Sequence, residues 1–382
     1  MKSVEEPRKI VLILGNGFDL DLGLKTSYKD FWESEYCPKN YPAPLIHHLN
    51  ERWSGRREGV KWYDLENELF YYYQIVRSSR SRIDVLSQEE QDFIKIVKPL
   101  DLSFGIDKKY GKEFNSLFDK GYIIDNPLLT PRYSIPFQED MKQSFIWRDK
   151  QALELIKRGL CNYLSSYKRD TTFVSSPATA VLGALYYVSK NGDFLDIYTF
   201  NYTQLPTCFA SIPDESINYV HGYCGDGRII IGTRDDVEID EQYDFLYKSF
   251  DPSYESSSIV EALRNADEVV FFGHSIGSND QQYFKAFFKA QSSYGTTTRK
   301  NITVFTLNDA SVIEIKRALQ AMTDNNLSSL YSQNKLSIIP TKNIPQDPSA
   351  LRKFLNRFIK DSEMVRKMIE RLCLSRQSNQ IV

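Results

Sequence analysis

At 382 residues, with 41% hydrophobic and 26% charged side chains, the chain has the composition of a protein with a sizeable core rather than a fibre or a disordered chain, and room for one large α/β domain with insertions or for two domains. Its 48 Lys and Arg against 50 Asp and Glu leave a net charge of −2 and a sequence pI near 6.2, which is no electrostatic footprint for nucleic acid. Five scattered cysteines (Cys37, Cys161, Cys208, Cys224, Cys373), with no Cys-x-x-Cys pair, argue against a disulfide framework and a zinc ribbon and fit a reducing cytoplasm.

The first predicted element is a strand over "KIVLILG" (9–15), cut short by Gly15, Asn16 and Gly17. So short an apolar run lacks the architecture of a signal peptide, and no stretch approaches the roughly 18 apolar residues of a membrane span, so a cytoplasmic protein without a membrane partner is expected. Gly15 and Gly17 permit a close backbone approach, and the helix predicted after them would offer N–H groups to an anion. The next glycine is Gly23, however, so the spacing is not Gly-x-Gly-x-x-Gly, and no second strand ending in an acid follows. A dinucleotide-dependent dehydrogenase is therefore not expected.

Strand signals then fade and helical patterns take over, as in "WYDLENELFYYYQIV" (62–76) and the long segment 138–167. In the first of these, Trp62, Leu65, Leu69, Tyr73 and Val76 form an apolar stripe, with Glu66 inside it and Asp64 and Glu68 pointing away. A carboxylate on the buried face needs a partner, so Glu66 is either a structural hydrogen-bonding residue or a site residue. Further strands are predicted at 193–200, 217–222, 228–232, 268–273, 302–308 and 336–340, with amphipathic helices between several of them. The expected fold is a Rossmann-like, doubly wound α/β structure with a mostly parallel sheet and a large helical insertion. Its core would comprise 1–35 and 190–345, the insertion 36–189, and a C-terminal helical segment 346–382, which packs on the sheet or makes a homo-oligomer contact.

Polar residues recur at the carboxyl ends of these strands: Asn16 and Asp19, Asn201 and Thr203, His221, His274 and Ser275, and Asn308 and Asp309. Ligands of open parallel sheets bind outside those ends, so together they form a candidate site. Asn201, Asn308 and Asp309 could equally cap the following helices, and His221 and His274 could be core histidines. Two of only four histidines stand beside glycines, in "VHG" and "GHS", which puts a functional reading of His221 level with the core reading.

In order along the chain, "ILGNGFDLDLGLKTSYKDF", "WYDLE", "TFNYT", "VHG" and "FFGHSIGSND" resemble the AbiH family of bacterial phage abortive-infection proteins, with Lys25 where a proline is frequent. More distantly, the series is similar to sirtuin-like NAD hydrolases. Gly15, Gly17 and Gly23 match their glycine turn, Phe200 to Thr203 match Gln-Asn-Ile-Asp in part, and His221-Gly222 and Gly273-His274-Ser275 match later strand ends. The zinc cysteines of deacetylating sirtuins and the Pro-Asp-Phe-Arg run are absent, which speaks against lysine deacetylation.

The resemblance implies phage defence by cleavage of the nicotinamide–ribose bond of NAD, with NAD as substrate and no tightly bound cofactor or metal. It implies catalytic roles for Asn201 (orienting amide), His221 (base) and Asp19 or Glu66 (a carboxylate near C1′). Gly15, Asn16, Gly17 and Phe18 would cradle the pyrophosphate. Gly23, Thr26, Ser27, Tyr28, Thr203, Gly273, His274, Ser275 and Asn308 would complete the nucleotide site. A phage-derived trigger is the implied partner. The alternatives are a non-catalytic nucleotide-binding sensor or scaffold and, more weakly, a toxin acting on nucleic acid.

Overall fold

In the computed structural model, which describes residues 6–54, 64–80, 139–166, 175–205, 212–255, 257–295 and 298–378, the opening apolar run forms strand β1 (Lys9–Leu14), buried from Ile10 onward. The chain then places β2 (Phe194–Thr199), β3 (Ile217–Tyr219), β4 (Gly222–Tyr223), β5 (Arg228–Ile229), β6 (Glu268–Phe272), β7 (Asn301–Thr306) and β8 (Lys335–Pro340). Six of them make one sheet in the order β3-β2-β1-β6-β7-β8, and every pairing in it is parallel. Strands buried on both faces need continuous apolar runs, which is what the sequence supplies in β1, β6 and β7.

Alternation along β1 feeds two cores. Ile10, Leu12 and Leu14 pack with the helices Pro177–Ser189, Ser349–Leu355 and Ser362–Ser378, while Val11 and Ile13 pack with Ile259–Asn265, Gln281–Gln291, Asp309–Met322 and Leu327–Gln333. Helices on both faces make the fold doubly wound and Rossmann-like, as expected. The chain builds outward from β1 through β2 and β3, then returns to the other side of β1 with β6, so the strand order reverses between β1 and β6. That reversal is the topological switch point, and the carboxyl ends of β1, β2 and β6 open onto it.

One strand departs from expectation. The run 228–232 does not enter the parallel sheet; β5 pairs antiparallel with β4 in a separate two-stranded ribbon. The turn 224–227 decides this, because Gly227 adopts φ +73° and its N–H donates to Cys224 O at 3.2 Å, reversing the chain over a few residues. The C-terminal segment packs on the sheet: Leu351, Phe354, Leu355 and Phe358 are buried, and Phe354 meets Phe305 of β7 edge-on at 5.0 Å.

The described residues group into two compact units, the first drawn from 1–27, 164–229 and 255–382, the second from 28–163 and 230–254. The first holds the sheet with its flanking helices, so Pro177–Ser189, assigned from sequence to the insertion, belongs with the core. The second holds the helices Tyr28–Glu33, Pro44–Ser54 and Leu65–Arg80 and the helix Glu139–Ser166 as far as Tyr163. Residues 230–254, assigned from sequence to the core, group with this second unit. Polar pairing accounts for it: the Asp240 N–H donates to the Tyr73 hydroxyl at 2.9 Å, and the Lys248 ammonium meets Glu66 at 2.9 Å.

Candidate functional site

At the switch point the loops after β1 and β6 interlock through their glycines. A Cβ on Gly15 would fall 2.5 Å from His274 Cα, and one on Gly17 would fall 2.6 Å from Gly273 Cα. Gly273 itself takes φ +64°. Backbone bonds fasten the contact: Gly15 N–H donates to Phe272 O (3.0 Å), Gly17 N–H to Gly273 O (2.9 Å) and Phe18 N–H to Gly15 O (2.8 Å). The close approach these glycines permit is thus between two loops, and three N–H groups expected to cradle an anion are already engaged. Phe18 contributes its ring to the core, edge-on to Phe272 at 5.7 Å. Gly23, at φ +82°, ends the short helix Asn16–Asp21, and the Thr26 hydroxyl donates to Asn16 Oδ1 at 2.6 Å. Ser27 is half-buried at the end of the first unit's opening segment, and Tyr28 begins the second unit.

The loop after β2 joins this arrangement. Asp19 is buried, and the Thr203 hydroxyl donates to its Oδ2 at 2.5 Å, tying the β1 turn to the β2 loop. Asn201, only 7% exposed, donates its backbone N–H to Thr199 Oγ1 at 3.1 Å, yet its side-chain Oδ1 is buried without any hydrogen-bond partner. An orphaned buried acceptor costs about 1–3 kcal/mol, so a fold retains one only where something repays the cost, such as a donor arriving with a ligand.

His221 and His274 complete the strand ends, and both are buried. The N–H of Ile276 donates to His274 Nδ1 at 2.9 Å, which leaves the ring proton on Nε2, 3.4 Å from Asp280 Oδ2. His221 Nε2 lies 3.5 Å from the Tyr283 hydroxyl and 3.7 Å from Asp280 Oδ1. Between the two histidines stands Phe200, with ring centroids 5.2 Å from His221 and 4.4 Å from His274. The bond to His274 is bought with strain: Ile276, β-branched and fully buried, sits at φ +51°, a left-handed conformation worth roughly 1–3 kcal/mol. Asp280 and Tyr283 were not singled out from sequence, and Phe200 entered only as part of a motif match, with no role of its own. The signal was present for Asp280, since "FFGHSIGSND" carries it, but a carboxylate on a turn reads as an ordinary helix start.

Among the remaining expected residues, Ser275 is exposed, and Asn308 caps the helix Asp309–Met322 by accepting the Ser311 N–H at 3.0 Å. Capping was one of the two readings open for Asn308.

A family model described as Bacteriophage abortive infection AbiH matches residues 11–301. The chain belongs to the AbiH family. The AbiH match runs from β1 to the first residue of β7 and so takes in every switch-point residue from Gly15 to Tyr283, and it ends before Asn308. Comparison with curated proteins and with solved structures returned no match. Among the described residues no group of three or more His, Cys, Asp or Glu is placed to hold a metal ion, and no helix is long and apolar enough to cross a membrane.

The AbiH match also covers the second unit, where Glu66 lies. Leu65, Leu69, Tyr73 and Val76 are buried as the stripe requires, while Trp62 falls outside the described residues. Glu66 is held by the ammonium of Lys248, itself only 1% exposed, so the structural role open to it from sequence is filled. Glu68 departs from the helical-wheel reading. It is buried, with Arg52 Nε at 3.0 Å and His48 Nε2 at 3.5 Å, because the helix Pro44–Ser54 covers that side too.

Proposed function

We propose that this AbiH protein binds a nicotinamide/adenine nucleotide at the carboxyl ends of β1, β2 and β6, and that on infection it hydrolyses the nicotinamide–ribose bond of NAD. The observation that carries this reading is the orphaned Oδ1 of Asn201 at the switch point, an acceptor that a ribose hydroxyl or an attacking water would satisfy. In the reaction the C1′–N bond breaks and nicotinamide leaves neutral, water forms the new C1′–O bond, and its proton passes to a base. Asn201 would orient the hydroxyl or water, and His221 would take the proton. Asp19, buried after β1 and bonded to Thr203 of the β2 loop, would offset the positive charge that develops at C1′, whereas Glu66 is already engaged by the Lys248 ammonium. Gly15, Gly17 and Phe18 have already committed their N–H groups, so the reading rests on the ribose end of the ligand rather than on a pyrophosphate cradle.

The test is chromatography of NAD incubated with purified protein, with and without lysate of phage-infected cells. ADP-ribose and nicotinamide are expected, with loss of on the order of 100-fold in rate for Asn201→Ala and His221→Ala. NAD left intact for hours under both conditions would sink the enzyme. Calorimetric binding of ADP-ribose without turnover would instead identify a nucleotide sensor.

A further inference from the structure

His221 follows β3 and His274 follows β6, strands separated in the sheet by β2 and β1, yet one carboxylate reaches both. Asp280 stands on the turn Ser278–Asp280, ahead of the helix Gln281–Gln291, with its side chain 17% exposed. Its Oδ2 faces His274 Nε2 at 3.4 Å, and its Oδ1 faces His221 Nε2 at 3.7 Å. These distances are those of charge–dipole contacts rather than tight hydrogen bonds, and catalytic contacts commonly tighten once a ligand is bound. Each histidine is held from the side as well. Phe200 packs edge-on against both rings, and the Ile276 N–H occupies Nδ1 of His274.

We propose that Asp280 is a positioning residue: its one carboxylate faces Nε2 of both imidazoles, the His274 tautomer being set by the Ile276 N–H, and it holds His221 as the Nε2–H tautomer, which makes Nδ1 the proton-accepting nitrogen of His221. The competing arrangement is written in the same coordinates. The Tyr283 hydroxyl, 3.5 Å from His221 Nε2, could donate to that nitrogen and would then force the proton onto Nδ1. Electrostatics favours the carboxylate. An N–H aimed at an anion is stabilised more than one aimed at neutral groups, and an imidazolium forming on His221 during proton transfer would find its counter-charge already in place. Asp280 from the turn and Tyr283 from the helix both face His221 Nε2, and Phe200 packs edge-on against the ring.

For the kinetic arm only, the inference rests on the NAD-hydrolase reading; the tautomers can be read without substrate. The protein has four histidines, so two-bond nitrogen–proton correlation spectra of the imidazole-labelled full chain resolve them, with assignment by His221→Gln and His274→Gln. Both His221 and His274 are expected as Nε2–H in the unsubstituted protein. In Asp280→Asn and Asp280→Ala, His274 stays Nε2–H because Ile276 still holds Nδ1, while His221 loses that preference. If turnover is found, Asp280→Asn should lower kcat on the order of 100-fold with little change in KM, and Asp280→Glu should recover part of it. An Nδ1–H tautomer for His221 in the unsubstituted protein overturns the proposal, and this outcome needs no variant to fold. The same holds if the His221 tautomer is unchanged in both variants. Absence of NAD turnover with the tautomers as stated would overturn the reaction and leave the role of Asp280 in place.

Discussion

Asp149 shows how burial alone can make a residue a sensor of pH. It is fully buried in the second unit, and that burial pushes its carboxyl up to about 7, although the Tyr72 hydroxyl (2.5 Å) and the Leu45 N–H (2.9 Å) both favour the charged form. A carboxyl with a raised folded-state value keeps a proton that the unfolded chain has lost, so its contribution is full below about pH 4 and disappears as pH rises through about 7. Stability in urea is therefore expected to fall across that window, by on the order of 3 kcal/mol from this group, and Asp149→Asn should flatten the fall. A profile equally steep in the variant would assign the pH dependence elsewhere. Glu66 makes the complementary point. Its place on the buried face was legible in the 3.6-residue pattern, but its partner Lys248 was not, because nothing local links positions so far apart in the chain. Glu66→Gln should destabilise the protein by about 3 kcal/mol by removing one partner of the buried ion pair with the Lys248 ammonium, and adding Lys248→Met should restore most of the loss in the same denaturation assay.

Among the elements, the glycine turns separate into two kinds. Gly15, Gly17 and Gly273 are required because another backbone occupies the space of their missing side chains, whereas Gly23 has nothing within 4 Å and is required only for its φ of +82°. Gly17→Ala is accordingly expected to cost about 1–3 kcal/mol through forced separation of the two loops. Gly23→Ala should cost nearer 1 kcal/mol. Equal losses in chemical denaturation would contradict the distinction. From sequence both kinds look the same, and local patterns favour an anion cradle because glycine turns before helices so often serve one. The strands themselves were legible wherever an apolar run lay between turn residues. The ribbon strand β5 was misplaced because its direction is set by the turn before it, and the burial of Glu68 was missed because one helical wheel cannot show that a second helix covers another side.

For the whole molecule, the strand order matters more than any element in it. Reversal between β1 and β6 gathers Asp19, Asn201, His221, His274 and Asp280 at one end of the first unit, and a ligand there should slow amide hydrogen exchange in 15–19, 199–203, 219–222 and 273–280. With ADP-ribose as probe, protection confined to the second unit would remove the switch point as the site. The sequence by itself determined the parallel α/β class, the residues at the strand ends and membership of the AbiH family, since each of these is written in local spacing and residue type. Tertiary structure alone decided that the opening glycines face another loop, that Asn201 keeps an unanswered acceptor and that Asp280 lies between two histidines. Those are distances between strands and loops remote in the chain, and they come into being only when the sheet closes in its order.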